Sequence, residues 1–268
     1  MPLAACSILQ QLFNSVGTAV VGRFASSEAL AAVGSNSSVI ALMVTLFSGI
    51  SLGSNVVIAN YIGQNDTKRI PRVVHTAVSL ALLSGVFLLI LGQFVAHPIL
   101  LLMGAPKDII HLATLYLRIY FLGMPFFMLY NYGAAILRAI GDTKRPLIFL
   151  IISGIANAAL NMILVILFHM GVAGVAIGTI ISQLISCVLV LTCLYRSEGS
   201  YQLRFSKLKI NGAYMEQIFQ VGVPAGIQST VINLSNALLQ SSVNSFGSIA
   251  MAGYTAANNI LGFLYMSV

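Results

Sequence analysis

Residues 172–195 read VAGVAIGTIISQLISCVLVLTCLY without one charged side chain, and residues 196–214 then read RSEGSYQLRFSKLKINGAY. About 20 consecutive apolar residues is the length that crosses a hydrocarbon layer as a helix. The polar stretch that follows is the only one in the chain longer than a tight turn. Comparable apolar runs lie at about 2–22, 30–62, 73–102, 109–137, 147–168, 215–245 and 248–268. Each can span, the longer ones by tilting or protruding. The alternating segments of about ten residues that mark a membrane barrel are not present. Eight helices are expected, in an all-α, polytopic transmembrane bundle.

Composition excludes the other classes. The chain has 268 residues, of which 7% are charged and 58% hydrophobic, and its mean hydropathy is +0.95. A soluble surface needs roughly 25% charged residues. Three cysteines in this length make no disulfide scaffold. The net charge of +7 is explained by where the cations lie. Lys68, Arg69 and Arg72 follow the second run; Arg138, Lys144 and Arg145 follow the fourth; Arg196, Arg204, Lys207 and Lys209 follow the sixth. The odd-numbered connections hold only Arg23 and Lys107. Basic short loops stay in the cytoplasm, so the amino terminus and the 196–214 linker are expected there, in a cytoplasmic membrane. The positive charge is assigned to orientation and contact with membrane lipid, and no nucleic-acid partner is expected. No signal peptide is expected, because no basic segment precedes the first apolar run.

The chain also repeats itself. At an offset of 222 positions Pro2 meets Pro224, Ser7 meets Ser229, Leu12 meets Leu234, Asn14 meets Asn236, Val21 meets Val243 and Phe24 meets Phe246. Beyond a three-residue deletion, ALAAVG (29–34) meets SIAMAG (248–253). Six spans separate the copies, so both face the same way, as in transporters built from parallel repeats. The expected organisation is an amino-terminal six-helix lobe at 1–195, a cytoplasmic linker at 196–214, and the start of a truncated second lobe at 215–268.

Local signals refine the picture. In AIGDTKRPL (139–147), Gly141 ends a helix, Asp142 or Thr143 caps the next, and Pro146 fits its first turn. Kinks are expected at Pro125 and Pro224, each near a glycine. Met124 and Met128 either line a cavity or pack against lipid, and Tyr61, Tyr116 and Tyr195 suit the interfacial belt. His75, His97, His111 and His169 lie near span ends without a metal-spaced partner and read as interface histidines.

Polar residues inside the runs carry the functional reading. Ser7, Gln11, Asn14 and Thr18 share one helical face in the first run. Ser229, Asn233, Asn236 and Gln240 have the same spacing in the seventh. Such stripes either face a shared cavity or hydrogen-bond between helices. Ser48, Ser51 and Asn55 in the second run have no repeat partner and read as helix-to-helix bonds.

LFNSVGTAVVGRF (12–24) with EALAAVG (28–34), YLRIYF (116–121), ILRAIGDTKRPL (136–147), MGVAGVAIGTIISQ (170–183) and GVPAGIQS (222–229) together resemble the multidrug and toxic compound extrusion (MATE) transporters, in order and in spacing. The resemblance covers essentially the whole chain. It implies a two-lobed, twelve-helix exporter that exchanges organic cations or other small-molecule drugs for Na⁺ or H⁺, with no other cofactor and no enzymatic activity. It also implies a cation or substrate cluster in the amino lobe, which falls here on Asn157, Asn161 and Thr179, with Asn233 near the matching place in the second lobe. The aspartate that the family usually carries in its first helix corresponds to Gly17, and a second one often found on the fifth corresponds to Asn161. All six acids (Glu28, Asp66, Asp108, Asp142, Glu198, Glu216) lie in loops or at span ends. An amide can offer oxygen to a cation but cannot titrate. A flippase for a lipid-linked saccharide is the alternative reading, and it needs a basic cavity where the runs supply only Arg118.

Overall fold

A computed structural model describes residues 27–102 and 107–244. Within them the chain forms α1 (Ser27–Gly63), α2 (Ile70–Leu102), α3 (Lys107–Leu122), α4 (Met124–Ala139), α5 (Lys144–Met162), α6 (Gly171–Arg196) and α7 (Gly212–Asn244). A single π-helical turn, Ile163–Leu167, prolongs α5, and Phe205–Lys207 makes one 3-10 turn before α7. The first and last apolar runs lie outside the described residues, and with the first run goes one of the two copies of the repeat.

Helix is forced on these segments, because backbone groups in hydrocarbon must bond within their own element. α1, α2, α5 with its π turn, and α6 are long and apolar enough to cross a membrane. α3 and α4 together make a fifth such span, bent by 48°. The bend falls at Gly123, two residues before Pro125, which has no N–H to give to the preceding turn. The kink expected at Pro125 is therefore present. α7 instead runs unbroken through Pro224, where its neighbouring turns are pressed along α1.

α4 is the centre of the bundle, in contact with α1, α2 and α6, while α5 rests mainly on α6. Phe121, Met124, Met128, Tyr132, Ile136 and Leu137 are fully buried at that centre. Met124 and Met128 thus meet neither lipid nor an open cavity. Tyr61 and Tyr116 are also buried, so of the three expected belt tyrosines only Tyr195 is exposed. The Tyr61 hydroxyl donates to Gln217 Oε1 at 2.9 Å, and its ring meets Tyr214 edge-on. Asn55 Nδ2 donates to the Ala135 carbonyl at 2.8 Å, a bond from α1 to α4 of the kind expected for that stripe. Leu83, Phe87, Phe94 and Ile155 form part of the outward apolar surface.

Two turns use one tetrapeptide. Asp-Thr-Lys-Arg occurs at 66–69 and again at 142–145. In each, the Asp Oδ1 accepts the Arg N–H, at 3.2 and 3.1 Å. In each, the Asp Oδ2 pairs with the Arg Nε, at 3.0 and 3.1 Å. The carboxylate covers an orphan N–H at the start of α2 and of α5. Asp142, not Thr143, therefore supplies the second cap. Tyr61 first, and then Asp66, hold the Arg69 guanidinium above its ordinary range.

α1 and α7 meet by backbone. Each carries Gly-x-x-x-Gly, at Gly49 and Gly53 on α1 and at Gly222 and Gly226 on α7. A Cβ on Gly49 would stand 2.3 Å from Gly226 Cα, one on Gly53 2.3 Å from the Ile218 carbonyl oxygen, and one on Gly222 2.6 Å from Ile50 Cα. No side chain fits there, so the helices cross at the distance that small residues alone permit.

The connection between α6 and α7 is tied down. The Leu203 N–H donates to the Leu194 carbonyl at 3.0 Å, and the Leu203 side chain is fully buried. His75, on α2, is also buried. Its Nδ1 faces the Pro71 carbonyl, and its Nε2 accepts the Arg204 N–H at 3.1 Å. A carbonyl at one ring nitrogen and an N–H at the other require the neutral ring protonated on Nδ1. Thr76 Oγ1 accepts the Asn211 N–H at 3.3 Å while donating to the Arg72 carbonyl at 2.8 Å. His75 is thus a staple for the linker, a role its position near a span end did not reveal.

Candidate functional site

The π turn and the Gly171 bend (φ +53) fold α5 back onto α6, with Val165, Val172, Val175 and Ala176 buried against Tyr116. About one helical turn beyond this apolar cluster, the two helices present polar groups to each other. Asn157 and Asn161 are one helical turn apart on α5; Thr179 and Ser182 are one turn apart on α6. Gly178 permits the approach, because a Cβ there would stand 2.4 Å from Asn161 Oδ1.

The hydrogen bonds run in one direction. Asn161 Nδ2 donates to Asn157 Oδ1 at 3.1 Å. Asn157 Nδ2 donates to Ser182 Oγ at 3.2 Å and, at 3.5 Å, to Thr179 Oγ1. Thr179 and Ser182 donate in turn to the carbonyls of Val175 and Thr179, at 2.8 and 2.7 Å. The bonds therefore lead from Asn161 toward the α6 backbone, and the chain starts from one open acceptor. That acceptor is Asn161 Oδ1, which is buried and has no hydrogen-bond partner. A buried carbonyl left without a donor costs about 1–3 kcal/mol. A hard cation or a ligand N–H would remove that cost. None of the four side chains ionises, so the cluster supplies oxygen lone pairs and no charge.

Three of the expected site residues, Asn157, Asn161 and Thr179, come together here. Ser182 joins them and was missed, although its place three residues after Thr179 on the same helix could have flagged it. Asn233 is elsewhere: its Nδ2 donates to Thr45 Oγ1 on α1 at 3.1 Å, across the α1–α7 crossing. Ser229 Oγ is bonded to the Ala225 carbonyl of its own helix. Asn236 and Gln240 lie in the last turns of α7, beyond the side chains that are described, and Gln11, Asn14, Gly17 and Thr18 lie outside the described residues. Arg118 is exposed on α3.

The probable multidrug resistance protein YoeA of Bacillus subtilis (strain 168) is 33% identical over 275 residues, which cover 99% of this chain and 59% of that protein. The fold matches a solved outward-facing multidrug resistance MATE family transporter of the MOP superfamily with a TM-score of 0.89, at 23% identity, over 99% of this chain and 59% of that one. An inward-facing structure described in the same words gives 0.82 at 22% identity, over 99% of this chain and 63% of that one. The chain thus spans under two thirds of the length of these relatives. The MatE family model matches residues 2–163, well over half of the sequence, and the chain belongs to that family.

Proposed function

We propose that this chain supplies the amino-terminal lobe, the linker and the beginning of the second lobe of a secondary exporter. That exporter moves small organic cations or other drugs out across the cytoplasmic membrane in exchange for Na⁺ or H⁺. The carrying observation is the buried, uncharged cluster of Asn157, Asn161, Thr179 and Ser182, with its open acceptor at Asn161 Oδ1. A buried, uncharged site whose open group is a carbonyl oxygen suits a desolvated cation or a cationic drug bearing N–H groups better than an anion.

α1 and α7 hold the start of the second lobe against the first over most of their length. Gly53 and Gly222 each lie ten residues from the helix end beside the basic turns, about 15 Å along the axis. Tyr61, Gln217 and Tyr214 join the same helices nearer that end. α1 and α7 are thus in contact from the side assigned to the cytoplasm to beyond mid-helix, where Asn233 Nδ2 meets Thr45 Oγ1.

The test is dye efflux from a pump-deficient bacterial host expressing the chain joined to the remaining helices of its Bacillus relative. Expected is accumulation below that of the empty host, restored by Asn161→Ala. Dye retention equal to the empty host, with the protein present in the membrane, would overturn the proposal.

A further inference from the structure

The linker between α6 and α7 is a fixed ledge, held by Leu203, His75 and Thr76. What it displays is unusual for a surface meant for water. Phe205 is 51% exposed and stacks at 6.0 Å on Tyr195, itself 54% exposed. Ile210 is exposed beyond them. Tyr195 is the penultimate residue of a membrane-spanning helix, so the stacked pair stands at the depth where chain passes from hydrocarbon to headgroups. Aromatic rings with polar tips concentrate at that depth. Between and beside these rings Arg196, Arg204, Lys207 and Lys209 are all exposed. Among the described residues none of the four has a carboxylate within 4.0 Å, and Arg204 Nε meets only Gln202 Oε1, at 3.2 Å.

We propose that this ledge docks on anionic phospholipid headgroups of the cytoplasmic leaflet. The rings of Phe205 and Tyr195 and the Ile210 side chain enter the interface, and Arg204, Lys207 and Lys209 pair with headgroup phosphates. The two kinds of exposed group select the occupant together. A dissolved anion would meet the cations but leave Phe205 and Ile210 in water. An apolar protein surface would cover those two but strand the cations. A negatively charged lipid surface satisfies both sets, and basic segments beside a span are drawn to it.

The chain contains no tryptophan, so Phe205→Trp places a lone fluorophore on the ledge. The full chain is reconstituted in vesicles of mixed phosphatidylglycerol and phosphatidylcholine, with bromine carried on one lipid or on the other at identical bulk composition. Brominated phosphatidylglycerol should quench at least about threefold more strongly than brominated phosphatidylcholine at equal mole fraction. Adding Lys207→Gln and Lys209→Gln should bring that ratio toward one. Tyr195→Trp, reporting from the other ring of the stack, should give the same ordering. Equal quenching by both lipids would overturn the proposal. So would quenching by iodide alone, which places the ledge in water, or loss of the preference on adding soluble glycerol phosphate, which makes a dissolved anion the ligand.

Discussion

Replacing Gly53 by alanine adds one methyl group where the structure has no room for it. The new Cβ would lie 2.3 Å from the Ile218 carbonyl oxygen, 2.7 Å from Gly222 N and 2.8 Å from Gly222 Cα. Carbon and carbonyl oxygen settle at about 3.3–3.6 Å, so α7 must retreat by about 1 Å. Its partners in that contact are backbone atoms of a helix and cannot rotate away. Because Gly49, Gly222 and Gly226 engage along the same crossing, a retreat at one position loosens the others. Overpacking of this kind costs about 1–3 kcal/mol, which shifts the balance between closed and parted helices by roughly 5- to 150-fold. The assay uses Thr45→Cys with Asn233→Cys, whose parent side chains meet at 3.1 Å, in a background with Cys6, Cys187 and Cys193 replaced. A short bifunctional thiol reagent should bridge the pair in membranes at least about five times more slowly once Gly53→Ala is added. Gly63→Ala and Gly212→Ala, where a Cβ meets nothing within 4 Å, should leave the rate unchanged. Bridging of the Gly53→Ala protein at the parent rate would refute backbone contact as the basis of this crossing.

Asn161→Asp should place a carboxylate at the open acceptor of the polar cluster; burial disfavours its charged form, so organic-cation binding should strengthen as pH rises from 6 to 8, while the parent stays flat. Isothermal titration with tetraphenylphosphonium at both pH values checks this, and a flat profile in the variant would show that the position does not face the ligand. His75→Ala leaves the Arg204 N–H without its acceptor, and proteolysis within 197–211 of the protein in membranes should accelerate several-fold; an unchanged rate would remove His75 as the staple. Cysteines at Ser200 and at Phe168 should label with an impermeant reagent from opposite faces of the membrane, and labelling of both from one face would reverse the topology.

The spans were legible because lipid imposes a simple rule on sequence, a long apolar run between polar turns. The runs at 30–62 and 172–195 became Ser27–Gly63 and Gly171–Arg196 with ends moved by only a few residues. The meeting of Asn157, Asn161 and Thr179 was also within reach, through helical spacing and family resemblance. What stayed hidden depends on contacts between distant parts of the chain. Each Gly-x-x-x-Gly is visible on its own helix, but nothing in the sequence says that Gly53 faces Gly222 across 169 positions. His75 looked like an interface residue because its partner, the Arg204 N–H, belongs to a loop with no periodicity to read. Tyr61 was placed at the headgroups for the same reason, since Gln217 and Tyr214 bury it from another helix. The recurrence of Asp-Thr-Lys-Arg was there to be noticed, but its meaning as a paired cap appeared only with the turn geometry.

The staple on the linker also sets how far α7 can travel. Fifteen residues separate Arg196 from Gly212, and as a slack tether they would reach about 50 Å. Bonding of Arg204 and Asn211 to α2 removes nearly all of that reach, leaving a single peptide link, about 3.8 Å, between the last tie and the first residue of α7. The connection itself then allows α7 to swivel about its own first turn but not to slide along the membrane. Lengthening the chain at 198–201, upstream of the staple, would leave that swivel untouched. One residue added between Asn211 and Gly212 would give the hinge slack and uncouple the angle of α7 from the helices behind it.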